Sequence, residues 1–303
     1  MIDPINNEFD LKKENILNHK LHSLAQQCIG YLDLARISSV HTEEEREKLK
    51  SEIFNRMINY NFIAKEMALV LSDTLNGIRD KVLGILLPEQ DMVQKNLTTR
   101  FKVDYNSWNG NLYKRTRFFE QWMKVELSKV MAEIADKHKK EFENIVDNAV
   151  DHFVFFTSSF RNGLKGRLKK VLDIDMPIEI HDLKYPTFNK PNIFVRWTFD
   201  SHIDLLWFLF PMGIFGKIFG RYFEKQIHYE TKINIYRLTS EINNRISHSI
   251  RHIKKQSEKY IADELSTIEN ILTNPTTKSS YYDNLIIEIN KLITKAGLNG
   301  NKL

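Results

Sequence analysis

The sequence predicts an all-α protein, an elongated antiparallel bundle of very long helices with a hydrophobic paddle at one tip. Three observations carry this. The seven prolines, at 4, 88, 177, 186, 191, 211 and 275, leave two intervals of more than eighty residues and one of more than sixty without a helix breaker. Proline inside a helix costs about 3 kcal/mol, so long helices belong in those intervals. Apolar residues recur there in steps of three and four, the period of one helix face. Alternation of the strand kind is nearly absent, confined to Ile193, Val195, Trp197 and Phe199 within 191–199.

A first helix is expected over 9–37. The next begins at Thr42, whose hydroxyl followed by Glu43, Glu44 and Glu45 forms a capping-box start with acids at the positive end of the helix dipole. Its stripe runs Leu49, Ile53, Met57, Tyr60, Ala64, Met67, Leu71, Leu75, Ile78, Val82 and Ile85, and Pro88 ends it. After a short helix over 90–103, a second stripe begins Phe118, Trp122, Val125, Met131, Ile134, His138 and Phe142. It continues through Ile145, Ala149, Phe153, Phe156, Phe160, Leu164, Leu168 and Val171. His138 lies on this stripe and is expected to be a packed core histidine. A third stripe runs Ile235, Leu238, Ile242, Ile246, Ile250, Ile253, Ser257, Tyr260, Leu265, Ile268 and Leu272, ending before Pro275. A last helix is expected over 279–296. A helix of about 55 residues is about 80 Å long and cannot bury a stripe alone, so side-by-side packing and self-association follow. The expected division is 1–180 as the first part of a helical stalk, 181–225 as the apolar tip, and 226–303 as the return and C-terminal helices.

The chain has 303 residues, 42% hydrophobic and 27% charged, the balance of a folded protein. A formal charge of +5 is too small an excess to imply nucleic acid. Between 221 and 260 nine Lys/Arg face four Glu, but no aromatic residues interleave on that face for base stacking. Cys28 stands alone, which excludes an intrachain disulfide and makes a buried structural thiol the default. Met1-Ile2-Asp3-Pro4 opens no apolar h-region, so no secretory signal is expected, and a cytoplasmic location is. His248 and His252 have a metal-pair spacing, but Ser249 stands where a helical metalloprotease needs Glu, and no third ligand is near. A solvated helix face accounts for them; no metal, cofactor or catalytic residue is expected.

The unusual segment lies at 205–216, Leu-Leu-Trp-Phe-Leu-Phe-Pro-Met-Gly-Ile-Phe-Gly, without a charge between Asp204 and Lys217. Pro211, Gly213, Gly216 and Gly220 argue against a continuous helix through it. Lys217, Arg221 and Lys225 follow at spacings of four, on one helix face. A run this short is often a buried plug. Here it joins two long helices, where few partners exist to cover it, which favours membrane contact. The expected inserting residues are Leu205, Leu206, Trp207, Phe208, Leu209, Phe210, Met212, Ile214, Phe215, Ile218 and Phe219, with Lys217, Arg221 and Lys225 pairing with lipid phosphates. Gly163-Leu164-Lys165-Gly166-Arg167 with Lys169 and Lys170 complements the negative end of its helix. If the second and third helices are antiparallel, this cluster adds a basic patch near the same tip.

The segment 192–272 resembles the C-terminal part of bacterial dynamin-like proteins. The resemblance rests on the aromatic stretch Asn192-Ile-Phe-Val-Arg-Trp-Thr-Phe199, the Leu205–Phe219 run carrying Phe210-Pro211, and the basic start at Arg221 and Lys225. The long helix that follows adds Asn234, Arg237, Ile242, Ile246, Ser249, Tyr260 and Leu265. It implies a membrane paddle at the apolar run and a stalk behind a GTPase head. The phosphate-cradling G-x-x-x-x-G-K-[ST] is nowhere in the chain, so no GTP hydrolysis is expected of it alone. The head would belong to a separate partner polypeptide, or the chain would be a truncated or degenerate relative. Two other classes compete: a helical pore-forming toxin, which also hides an apolar hairpin between long helices, and a plain scaffold whose apolar run is core.

Overall fold

The computed structural model describes residues 3–54, 60–176, 212–274 and 278–295; the side chains of 3–12, 15 and 212–214 lie outside that description. The chain is all-helical, with no strand among the described residues. The helices are α1 (Asp3–Val40), α2 (Glu43–Ile53), α3 (Tyr60–Leu75), α4 (Ile78–Leu86), α5 (Glu89–Ser107), α6 (Leu112–Lys137), α7 (Lys139–Leu172), α8 (Met212–Thr273) and α9 (Ser279–Lys295). The alternation at 191–199 falls outside the described residues.

The expected helix starts and stops are largely where the local chemistry puts them. Thr42 accepts from the Glu45 amide at 3.3 Å and the Glu45 carboxylate accepts from the Thr42 amide at 2.9 Å, a complete capping box. α4 ends at Leu86, just before Pro88. The helix expected from Thr42 to Pro88 is nevertheless divided. Gly77 stands in the left-handed region at φ 75° and closes α3 from α4, a turn that only glycine makes cheaply. The second stripe is divided too, at His138, whose φ of −98° and ψ of 8° lie between α6 and α7. α8 departs in the other direction. It runs 62 residues from Met212, straight through Gly213, Gly216 and Gly220, which the sequence reading took as interruptions. Each glycine costs a helix about 1 kcal/mol, and the packing of α8 outweighs that sum.

The chain divides into two compact units, the first comprising 1–70, 151–184 and 253–303, the second 71–150 and 185–252. In the first unit, α1 and the end of α8 run parallel. The Tyr31 hydroxyl donates to Glu264 Oε2 at 2.6 Å, and seven residues on the Ser38 hydroxyl donates to the Ile271 carbonyl at 3.0 Å. α9 packs along α1, and Asp283 near its start meets Arg36 near the end of α1 at 3.6 Å, so α9 runs antiparallel to it. Gly30 leaves room for Met176, whose Cγ would lie 3.1 Å from any added Cβ. Leu34, Ile53, Met67, Leu168, Ile261 and Ile268 are in its core. Cys28 is exposed rather than buried. It sits two residues, or about 200° of helix rotation, from Gly30, which faces the core.

In the second unit, α5 and α6 form an antiparallel hairpin, tied by Arg100 to Glu126 at 2.7 Å and by the Trp122 indole N–H to Asp104 at 2.7 Å. α5 is antiparallel to α8 as well: Tyr105 meets Gly216, and Gln94 meets His228. α6 and α8 are therefore parallel in this unit, not antiparallel as expected. The first turns of α6 are one residue off the expected stripe, which is rejoined at Met131 and Ile134, both buried. Phe119, Met123, Leu127 and Val130 are buried, while Phe118 and Val125 are exposed and Trp122 is half-buried. The double aromatic Phe118-Phe119 fits either register, and only packing chooses. The third stripe shows no such ambiguity: Ile235, Leu238, Ile242, Ile246 and Ile250 are all buried.

Candidate membrane-contact site

The first turns of α8 carry the described part of the expected paddle. Leu205, Leu206, Trp207, Phe208, Leu209 and Phe210 lie outside the described residues; Met212 and Ile214 belong to α8 by their backbone, their side chains outside the description. From Phe215 onward the helix has two faces. Gly220, Phe223 and Ile227 point into the second unit's core, Phe223 with no exposed surface at all. Phe215 and Phe219 are half-buried, and Ile218 is 59% exposed. Lys217, Arg221 and Lys225 are exposed on the outward side and form no ion pair with a described residue, whereas Glu224 meets Lys102 at 3.7 Å. The spacing of four thus becomes three exposed ammonium or guanidinium groups flanking an outward isoleucine.

A block of aromatic rings holds this helix start in place. Phe223 stacks on Phe119, centroids 4.6 Å apart at 21°, and meets Phe101 and Tyr105 edge-on at 6.2 and 5.9 Å. Phe101 also meets Trp108 and Trp122. Each such pair adds about 0.5–1.5 kcal/mol beyond the area it buries. The Tyr105 hydroxyl donates to the Gly216 carbonyl at 2.8 Å, and the Tyr105 ring lies so close to Gly220 that an added Cβ would sit 3.2 Å from its Cε1. Gly220 and Gly216 are thus the seat of Tyr105 rather than a hinge. The α5–α6 turn, Trp108 to Asn111, borders this block. Gly110 takes φ 117° there, and the Asn111 side chain caps α6 by accepting from the Lys114 amide at 3.0 Å.

The sequence reading missed this block and the hairpin end beside it. A signal was present: Tyr105, Trp108, Tyr113, Lys114, Arg115, Arg117, Phe118 and Phe119 fall within fifteen residues with no acid among them. The other cationic candidate is engaged locally. In the first unit Lys165 meets Asp175 at 2.8 Å, Lys169 meets Asp173 at 2.7 Å, and Arg167 donates to the Glu52 carbonyl at 3.1 Å.

His138 is half-buried, its side chain 12% exposed, and lies among charges rather than packed in the apolar core that was expected. Nδ1 lies 2.8 Å from Glu141 Oε1 and Nε2 lies 2.9 Å from Glu89 Oε1, which also accepts from Lys137 at 2.6 Å. Two carboxylates face the one ring, an arrangement that both nitrogens satisfy as donors when the ring is an imidazolium. Burial alone would lower its pKa; the bonds to Glu141 and Glu89 outweigh that and raise it. Lys137, and after it His138, hold Glu89 below the usual carboxylate range. His248 and His252 are both exposed. Among the described residues no three His, Cys, Asp or Glu side chains gather to hold a metal, and no helix is long and apolar enough to cross a membrane. No family model, curated protein or solved structure matches the chain.

Proposed function

We propose that this chain is the stalk and paddle of a dynamin-like membrane-remodelling system, bound peripherally to the cytoplasmic face of a membrane. In this reading an elongated helical bundle presents the apolar run at one end. Leu205 to Phe210 together with Met212, Ile214, Phe215, Ile218 and Phe219 enter the bilayer interface, and Lys217, Arg221 and Lys225 meet lipid phosphates. The long helices associate with other copies, and nucleotide-driven motion comes from a GTPase head on a partner, since this chain has no phosphate-binding loop.

One observation supports the reading most: the outward face at the start of α8 combines an exposed isoleucine with three exposed cations that pair with no described residue, on a helix whose other face is held by buried rings. A plug helix buries its apolar residues and has no use for such a face. Flotation on anionic vesicles tests it. Wild type is expected to float and the Phe208→Asp/Phe215→Asp double variant to stay with the soluble fraction; equal partition of the two ends the reading.

A further inference from the structure

We propose that the end of the α5–α6 hairpin is a second membrane-contacting element, placed beside the start of α8 and reading anionic lipid. This rests on the membrane-contact reading above and adds the hairpin's own residues to it. The hairpin end presents Trp108 half-buried, Tyr113 39% exposed and Phe118 44% exposed, with Trp108 and Phe118 in ring contact at 6.2 Å. Tryptophan and tyrosine have an apolar body and a polar edge, the combination favoured at the level of lipid headgroups. Arg117 lies over the Tyr113 ring at 5.5 Å, which sets a cation beside the aromatic surface.

Charge selects the occupant. Between 101 and 122 the hairpin end carries Lys102, Lys114, Arg115 and Arg117 against Asp104 and Glu120; between 212 and 225 α8 adds Lys217, Arg221 and Lys225 against Glu224. The acids are committed: Asp104 accepts from Trp122, Glu120 meets Arg117 at 3.3 Å, and Glu224 meets Lys102. The surplus is therefore positive, as a surface facing anionic headgroups requires.

The two elements are joined rigidly. Tyr105 hydrogen-bonds α8 at Gly216, Arg115 lies over the Tyr105 ring at 5.2 Å, and Phe119 stacks on Phe223. A bilayer touching one element meets the other at a set spacing, so the hairpin adds contact area without ordering any new chain.

The test uses the full chain with Cys28→Ser and an environment-sensitive fluorophore on either Tyr113→Cys or Ile218→Cys, both outward positions. Vesicles of phosphatidylcholine with phosphatidylserine are compared with phosphatidylcholine alone. Blue shifts at both positions on the anionic vesicles are expected. A shift at 218 without one at 113 overturns this inference and leaves the α8 paddle standing; no shift at either overturns both. A shift at 113 alone supports the hairpin and removes the α8 face. Lys114→Glu is the second readout. An acid at that position suits the start of α6, so folding is not at risk. Reversing the charge should weaken partition about thirty-fold, at about 1 kcal/mol per charge near an anionic surface; unchanged partition overturns the proposal.

Discussion

Replacing Glu89 by Gln keeps the size of the side chain and removes its charge from a nearly closed site. Glu89 is the first residue of α5, 10% exposed, and accepts from Lys137 at the end of α6 and from His138 beyond it. The Lys137 ammonium is 57% exposed and regains water, so its share is small. The bond to His138 joins a buried carboxylate to a half-buried imidazolium and is worth about 1.5–3 kcal/mol. The favourable position of an acid at a helix start adds about 0.5 kcal/mol. Glu89→Gln should therefore destabilise the second unit by about 2–3 kcal/mol at mildly acid pH. The pH dependence carries the sharper test. His138 has its pKa raised in the fold, so its contribution is complete below the free imidazole value, near 6.5, and is lost as pH rises through the folded value. Glu89 is depressed, so its contribution is present above the ordinary carboxylate range and lost as pH falls through the folded value. The cluster is strongest from roughly pH 4.5 to roughly pH 6.5. Urea unfolding followed by circular dichroism, at about pH 5.5 and about pH 8.5, measures both terms. Wild type should lose stability at the higher pH and His138→Gln should lose much less. Equal losses in the two proteins, or a Glu89→Gln effect below about 0.5 kcal/mol, would refute the charged cluster.

Two other outcomes follow from the packing. Gly220→Val drives a branched side chain into the Tyr105 ring, where even a Cβ lies 3.2 Å from Cε1; a loss of about 1–3 kcal/mol in thermal unfolding is expected, while the same substitution at Gly84, which meets nothing within 4 Å, should lack that clash. Tyr31 should be among the last tyrosines to ionise in an alkaline ultraviolet titration, because burial and then its donation to Glu264 both raise its pKa; Tyr31→Phe should cost about 1–3 kcal/mol by leaving the buried Glu264 short of a donor.

Much of the fold was legible in residue order. The third stripe was read correctly from Ile235 to Ile253 because isoleucines at three- and four-residue steps leave one helical register. Thr42 with Glu45, and Pro88, mark helix ends through bonds between near neighbours. The breaks at Gly77 and His138 were missed, since glycine and histidine both occur inside helices and only the backbone shows which role each takes. Of the candidate site, the exposure of Lys217, Arg221 and Lys225 agrees with their spacing, whereas the aromatic support came from residues a hundred positions away.

The sequence by itself determined that the chain is helical, which faces of its helices are apolar, and where charge is concentrated. Those properties depend on residues within a turn or two of one another. Direction and partnership were decided only in the tertiary structure. An apolar stripe packs equally well against a parallel or an antiparallel neighbour, and nothing within a stripe says which. Stacking of Phe119 on Phe223 and the seat of Tyr105 on Gly216 and Gly220 set α6 parallel to α8 and brought the hairpin end to the start of α8. Contact between segments so far apart in the chain depends on shape complementarity, which local periodicity does not encode.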